Sequence, residues 1–209
     1  MIVTDNVYML DCTSGSHSYA ILGSETVLID TSFPGKGPAI LAELAALGVK
    51  PQEIKQILLT HFDVDHIGNA AFLQQATGAT VWASAIDIPY ILGQKPRPGI
   101  KKYIGMMMRV KLPANIQAFP ESNRLGEIEV IPTPGHTPGH VCLLYKGVLL
   151  AGDLVTTREG RLNPSPDMMT WDKKLVLASI KKVAALSFNW ICPAHGMPVE
   201  RGALLEKFV

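Results

Sequence analysis

The chain has 209 residues, 47% hydrophobic and 18% charged, which is enough apolar material for a full core and excludes a disordered chain. A formal net charge of +1 gives no electrostatic basis for nucleic acid or an anionic membrane surface as the main partner, and leaves a small-molecule substrate as the expectation. The opening Met1-Ile2-Val3-Thr4-Asp5-Asn6 has no basic or apolar signal region, and the apolar run 39–49 is broken by Glu43 and too short to span a bilayer. Cys12, Cys142 and Cys192 are odd in number and far apart, so no disulfide framework is expected and a reducing cytoplasm is the expected location.

In chain order, residues 3–10, 19–22 and 26–31 read as an antiparallel meander with Gly23-Ser24 as a turn. Over 38–47, Ile40, Leu41, Leu44 and Leu47 recur at helical spacing, and Gly48 stands where a helix stops. A short apolar strand is predicted at 54–60, a helix over 66–76 stopped by Gly78, and a strand at 79–83. The second half predicts strands at 128–131, 141–145 and 148–151. A long helix follows over 171–186, buried through Leu175, Ile180, Val183 and Leu186. A strand at 190–192 and a closing helix over 200–208 complete the chain. Strands then helix, twice over, predict an α/β protein of two packed sheets with helices outside, in a single domain over 1–209.

Residues 85–122 break this rhythm. They carry Pro89, Pro96, Pro98, Pro113 and Pro120, the triplet Met106-Met107-Met108 and weak periodicity. Such an insertion is either a lid over a binding site or a packed excursion whose methionines fill core gaps. It has no His or Cys, so it is not expected to reach a metal. The pairs Lys101-Lys102, Lys173-Lys174 and Lys181-Lys182 each read as a solvated face.

Four motifs carry chemistry. Thr60-His61-Phe62-Asp63-Val64-Asp65-His66-Ile67-Gly68 lies where a strand turns into a helix; His61, Asp63 and Asp65 share one side of an extended segment, and His66 swings toward them as the helix begins. Thr133-Pro134-Gly135-His136-Thr137-Pro138-Gly139-His140, Gly152-Asp153 and Cys192-Pro193-Ala194-His195-Gly196 also sit at strand ends. Imidazoles and carboxylates converging in this way suit divalent cations. Taken singly, Asp65 reads equally as a helix N-cap, Asp63 as a solvated loop acid and His61 as a core histidine.

In this order the motifs resemble the metallo-β-lactamase superfamily across nearly the whole chain; each is weak alone and specific in combination. Leu28-Ile29-Asp30-Thr31 also resembles the family's early strand, whose acid supports the metal loop. The resemblance implies a four-layer αβ/βα sandwich and a hydrolase that activates water on zinc, with two ions per chain. It implies that His61 and His136 bind the first metal, that Asp65, His66 and His195 bind the second, and that Asp153 bridges them. Asp65 and Asp153 are the implied catalytic acids, and His140 is implied to support the site without ligating. The family pattern His-x-His-x-Asp-His is here His-x-Asp-x-Asp-His. With Asp63 as a ligand the first site is harder, less selective for zinc and open to manganese or iron; the substitution equally fits a mononuclear centre.

His17 and Cys192 are expected to play no ligating part, while Tyr90 and Tyr103 are candidates for substrate contact. The family's β-lactamases lack the bridging acid and are secreted, and its lactonases carry Tyr where Thr156 stands. Its thioesterases add a helical region, and its nucleases a large domain, that this sequence does not show. The expected activity is hydrolysis of a thioester, lactone or related ester. The alternatives are an iron-dependent sulfur dioxygenase or redox protein on the same fold, and a catalytically silent binding homologue.

Overall fold

The computed structural model describes residues 1–208. One sheet has seven strands in sequence order: β1 (Ile2–Thr4), β2 (Val7–Met9), β3 (Tyr19–Ile21), β4 (Thr26–Ile29), β5 (Ile54–Leu58), β6 (Thr80–Ala83) and β7 (Ile116–Ala118). The first four are antiparallel neighbours and β4 to β7 run parallel. Parallel neighbours require crossovers. These are α1 (Gly37–Ala46), then α2 (Val64–Ile67) with α3 (Ala70–Thr77), then α4 (Ile88–Ile91) with α5 (Lys101–Met107).

The second sheet contains β8 (Arg124–Leu125), β9 (Ile128–Pro132), β10 (Val141–Tyr145) and β11 (Val148–Gly152), and is completed by two later strands. β12 (Val155–Arg158) and β13 (Arg161–Pro164) form a separate hairpin. The helix α6 (Lys173–Ala184) then leads to β14 (Trp190–Pro193), which lies parallel to β11, and β15 (Val199–Glu200) pairs antiparallel to β14.

Period-two alternation along the strands builds three apolar layers. On β4, Leu28 faces Ile40 and Leu44 of α1 and Leu73 of α3. Val27 and Ile29 point the other way, to Val130, Leu143 and Leu150 of the second sheet. On β11, Leu149 and Ala151 join Val176, Ile180 and Val183 of α6. Three apolar layers between four layers of structure make the expected αβ/βα sandwich, and each fully buried Leu or Ile contributes about 1.5–3 kcal/mol.

Several elements differ from the sequence expectation. Residues 3–10 are a tight hairpin broken at Asp5-Asn6. The helix expected over 66–76 begins earlier, as α2, and is interrupted at Gly68-Asn69 before α3. The break is a tertiary tie: Asn69 Nδ2 donates to the carbonyls of Thr31 and Phe33, and its Oδ1 accepts from Gly37 N–H at 2.9 Å. Gly68 packs so closely that a Cβ would lie 2.3 Å from the Ser32 carbonyl oxygen. The α6 helix starts at Lys173, because the Asp172 side chain accepts from the N–H groups of Lys174 and Leu175. Its buried stripe runs through Val176, with Leu175 and Leu186 half-buried. In place of a closing helix over 200–208 there are β15, turns and a 3-10 turn at Glu206–Phe208, with the Arg201 guanidinium donating to the Ala184 and Leu186 carbonyls. An Arg aimed back at the end of α6 anchors that segment, whose own backbone bonds run from i to i+3 and not as an α-helix.

The Gly68 contact is with backbone, which yields little. Gly68→Ala is expected to cost roughly 1–3 kcal/mol, the usual range for overpacking. A urea midpoint equal to that of the wild type would show that the Ser32 turn relaxes freely.

Candidate metal centre

The loop after β5 carries His61 and Asp63, and α2 carries Asp65 and His66. The β9–β10 loop carries His136, the end of β11 leads to Asp153, and the end of β14 to His195. All meet at one edge of the sandwich. The ligand atoms of His61, Asp63, His136 and Asp153 lie within 4.8 Å of one another, as do those of Asp65, His66 and His195. Asp153 stands between the groups: Oδ1 is 3.3 Å from His66 Nε2, and Oδ2 is 3.3 Å from His195 Nε2 and 3.4 Å from His136 Nε2. Asp65 and His195 are half-buried and the other five are buried.

Each of the four imidazoles is held through Nδ1, leaving Nε2 toward the centre. His61 pairs with Thr60 Oγ1 at 3.0 Å, His66 with Asp30 Oδ2 at 2.8 Å and His136 with Ser165 Oγ at 2.5 Å; His195 Nδ1–H donates to the Gly15 carbonyl at 2.7 Å. Partners of this kind orient a histidine for ligation. Buried His61 Nε2 and Asp153 Oδ1 have no hydrogen-bond partner, and an orphaned pair of this type is what a bound cation satisfies. Asp153, with its orphaned Oδ1, and the neighbouring Asp65, His66 and His195 fit a divalent cation in number and chemistry.

The electrostatics agree. Burial pushes the His66 imidazole down, but Asp153, Asp30 and Asp65 outweigh it and hold the group well above its ordinary range. The field at the centre is negative and draws positive charge. His61 is pushed well down by burial and by neighbouring His66, which keeps it in the neutral, ligating form. His140 stands behind the centre; burial, with His136 next in weight, takes it down to about 3. Its Nε2 accepts from the Asp153 N–H at 3.1 Å and its Nδ1 meets Thr133 Oγ1 at 2.9 Å, so it positions Asp153.

Two residues of the centre carry no signal in the sequence. Lys101, on α5, is only 3% exposed, which corrects its reading as a solvated face; Lys102, Lys173, Lys174, Lys181 and Lys182 are exposed. Lys101 Nζ donates to Asp63 Oδ2 at 2.5 Å and to His136 Nε2 at 2.8 Å. The insertion, expected to supply no metal ligand, sends a cation into the centre. Burial raises the Asp63 carboxyl, but Lys101 leads the influences that hold it well below the usual range. The second residue is Asp87, whose carboxylate accepts from Thr137 Oγ1 and Gly139 N–H, each at 2.8 Å, and so braces the loop that presents His136.

His17 is half-buried and in neither ligand group, its backbone N–H donating to the Ala194 carbonyl at 2.8 Å. Cys192 packs in the layer between the sheets. Tyr90 stacks on Phe62 at 4.9 Å, and Tyr103 is exposed. Met106 and Met107 are 66% and 86% exposed, which rules out core filling for both. Met106 lines a cleft of about 420 Å³ with Tyr90, Arg97, Arg109 and Leu112.

An αβ/βα sandwich with a His/Asp centre on the shared edge of its sheets defines a class of metal-dependent hydrolases. The model of the Metallo-beta-lactamase superfamily matches residues 13–195, and the chain belongs to that family. It is 29% identical to the probable metallo-hydrolase YflN of Bacillus subtilis, over 93% of this chain and 81% of that protein. It is also 29% identical to a hydroxyacylglutathione hydrolase of Cereibacter sphaeroides, over 88% of this chain and 64% of that one. A crystal structure of a di-iron-bound protein superposes with a TM-score of 0.73 at 26% identity, over 92% of each chain. No helix among the described residues is long and apolar enough to cross a membrane.

Burial pushes the Asp87 carboxyl up to about 6, against the hydrogen bonds from Thr137 and Gly139. Its folded value lies above the unfolded value of about 4, so the stability it contributes is full below pH 4 and is lost as pH rises through 6. The stability of the wild type relative to Asp87→Asn should therefore fall between pH 4 and pH 7, a trend that paired denaturant titrations read directly. Asp87→Ala, which strands the Gly139 N–H, should cost about 1–3 kcal/mol; equal stability of the two variants would show that the brace is not needed.

Proposed function

We propose that the chain hydrolyses a thioester, lactone or related ester bond of a small molecule at a centre formed by Asp65, His66, His195 and Asp153, with zinc as the resident ion. The observation that carries the reading is the common orientation of the His66 and His195 imidazoles, each tied at Nδ1 with Nε2 3.3 Å from a carboxylate oxygen of Asp153. When bound, a divalent cation supplies Lewis acidity and a nucleophilic water near neutral pH. The protein residues do the rest. His140 fixes Asp153 through its N–H, and Asp30 fixes His66. Asp65 Oδ2 lies 3.3 Å from His195 Nε2 on the half-buried side of the centre; there it takes a proton from the attacking water and returns it to the leaving oxygen or sulfur.

A protein nucleophile is not called for. Burial pushes the Cys142 thiol up to about 12 and Cys192 higher still, so both stay protonated and inert. Free cysteines also suit a reducing cytoplasm. The mouth of the site suits an apolar substrate: Ile100, Lys101, Met168, Met169 and Trp171 line a cavity of about 100 Å³. Met168 and Trp171 are 74% and 48% exposed, and an apolar acyl group would cover them. The insertion serves as a lid through Ile100 and Lys101 in this reading, and the hydroxyacylglutathione hydrolase among the relatives supports acyl transfer to water.

Elemental analysis of gently purified protein should find zinc, and removal by a chelator should abolish hydrolysis in a screen of esters, thioesters and lactones, with readdition restoring it. Iron with oxygen uptake in place of hydrolysis would overturn the reading. Trp171→Ala and Met168→Ala are expected to raise KM more as the acyl chain lengthens, by up to about 0.8 kcal/mol for each methylene left uncovered. A KM change independent of chain length would exclude the mouth as the acyl site.

A further inference from the structure

Positive charge already stands inside the first ligand group. Lys101 Nζ contacts Asp63 Oδ2 at 2.5 Å and His136 Nε2 at 2.8 Å from a buried position. An ammonium has three N–H donors and no acceptor, so each contact takes a lone pair from its partner. With the ammonium donating to it, His136 Nε2 is the unprotonated nitrogen even though Asp63 Oδ2 lies 3.0 Å away, the ammonium standing between the two acceptors, and Nδ1–H donates to Ser165 Oγ at 2.5 Å. That ring has no lone pair left for a metal. Asp63 Oδ2 is also engaged by the ammonium, which leaves His61 and Asp153 as the two side chains of this group that Lys101 does not touch. A zinc site needs three or four protein ligands. Asp65, His66 and His195 make no contact with Lys101 and keep Nε2 or carboxylate oxygens facing one another.

We propose that Lys101 is a built-in replacement for one of the two cations. The chain binds a single divalent ion at Asp65, His66, His195 and Asp153, and the Lys101 ammonium, paired with Asp63, supplies fixed positive charge in the place of the other. The pairing accounts for the departure in the motif. An imidazole at position 63 would leave a buried ammonium without a counter-charge, whereas a carboxylate neutralises it. Nζ also lies 5.5 Å from the centroid of the Phe62 ring, which adds a favourable face for a cation. The insertion thereby sets the charge of the centre as well as covering it.

The proposal rests on the metallo-hydrolase reading, and metal stoichiometry separates the two. The chain is stripped with a chelator and titrated with zinc alone, with binding followed by calorimetry and by elemental analysis after desalting. The wild type should take up one zinc per chain, and Lys101→Arg, which keeps the charge, should do the same. Lys101→Met combined with Asp63→His, which removes the ammonium and restores the imidazole, should take up two. Lys101→Met alone should gain a weaker second event, which guards against a double variant that fails to fold. Two tight zinc ions in the wild type would overturn the role of Lys101 and leave the hydrolase reading standing. No zinc in the wild type would defeat the hydrolase reading itself. A double variant with native circular dichroism and cooperative unfolding that still holds one zinc would also overturn the proposal.

Discussion

The Asp30 carboxylate ties fold and site together. It accepts from Thr60 N–H at 2.8 Å, Thr60 Oγ1 at 2.7 Å and His66 Nδ1 at 2.8 Å, while its own N–H donates to the Leu58 carbonyl at 2.9 Å. One buried group thus closes the end of the β4–β5 pair, sets the start of the loop bearing His61 and Asp63, and orients His66. Charge-assisted hydrogen bonds of this kind are the strong ones, and losing the acceptor would strand several buried donors together. The backbone pays a local cost, since Asp30 and Ser32 adopt φ of 56° and 57°. That kink turns the chain so that Thr31 N–H and Oγ1 both donate to the His66 carbonyl.

The candidate ligands come from both sheets, so their spacing depends on how the sheets pack. Ile29 and Leu58 of the first sheet meet Val141, Leu150 and Cys192 of the second in one apolar layer directly beneath the metal edge. Close-packed interiors deform little, which makes this layer a rigid gauge for the separation of His61 and His66 from His136, Asp153 and His195. The loops themselves are held by local braces: Asp87 for the turn carrying His136, and Gly15 for His195. A centre built on strand ends and braced from behind is organised before any substrate arrives.

The charge balance of the centre extends beyond the ligand motifs. Asp63, Asp65 and Asp153 crowd a buried space, and burying like charges is unfavourable unless cations share it. Lys101 answers Asp63 from α5, an element outside the four motifs. The segment 85–122 thus places Ile100 beside a cavity lined with Met168 and Trp171, and Lys101 against Asp63 and His136.

What the sequence determined by itself follows from periodicity and from the order of its motifs. The strands 54–58, 128–132, 141–145 and 148–152 and the helices α1 and α6 were legible because alternation and helical spacing report burial directly. The ligand candidates His61, Asp65, His66, His136, Asp153 and His195 were legible because strand ends carry them in a recognisable order. β7 and β8 hold three and two residues, too few for a period to show, and β12 and β13 have a largely polar, half-exposed composition that gives no apolar run. The break at Gly68-Asn69 and the non-helical 200–208 depend on side chains bonding to distant backbone, which no local window contains. Lys101 and Asp87 are the clearest cases of what only tertiary structure decided. Nothing beside them in the chain marks either as buried, and their roles exist because folding brings residue 101 to Asp63 and His136, and residue 87 to Thr137 and Gly139. A lysine's place in solvent or in a core is set by the carboxylate it meets, and that partner lies 38 residues away.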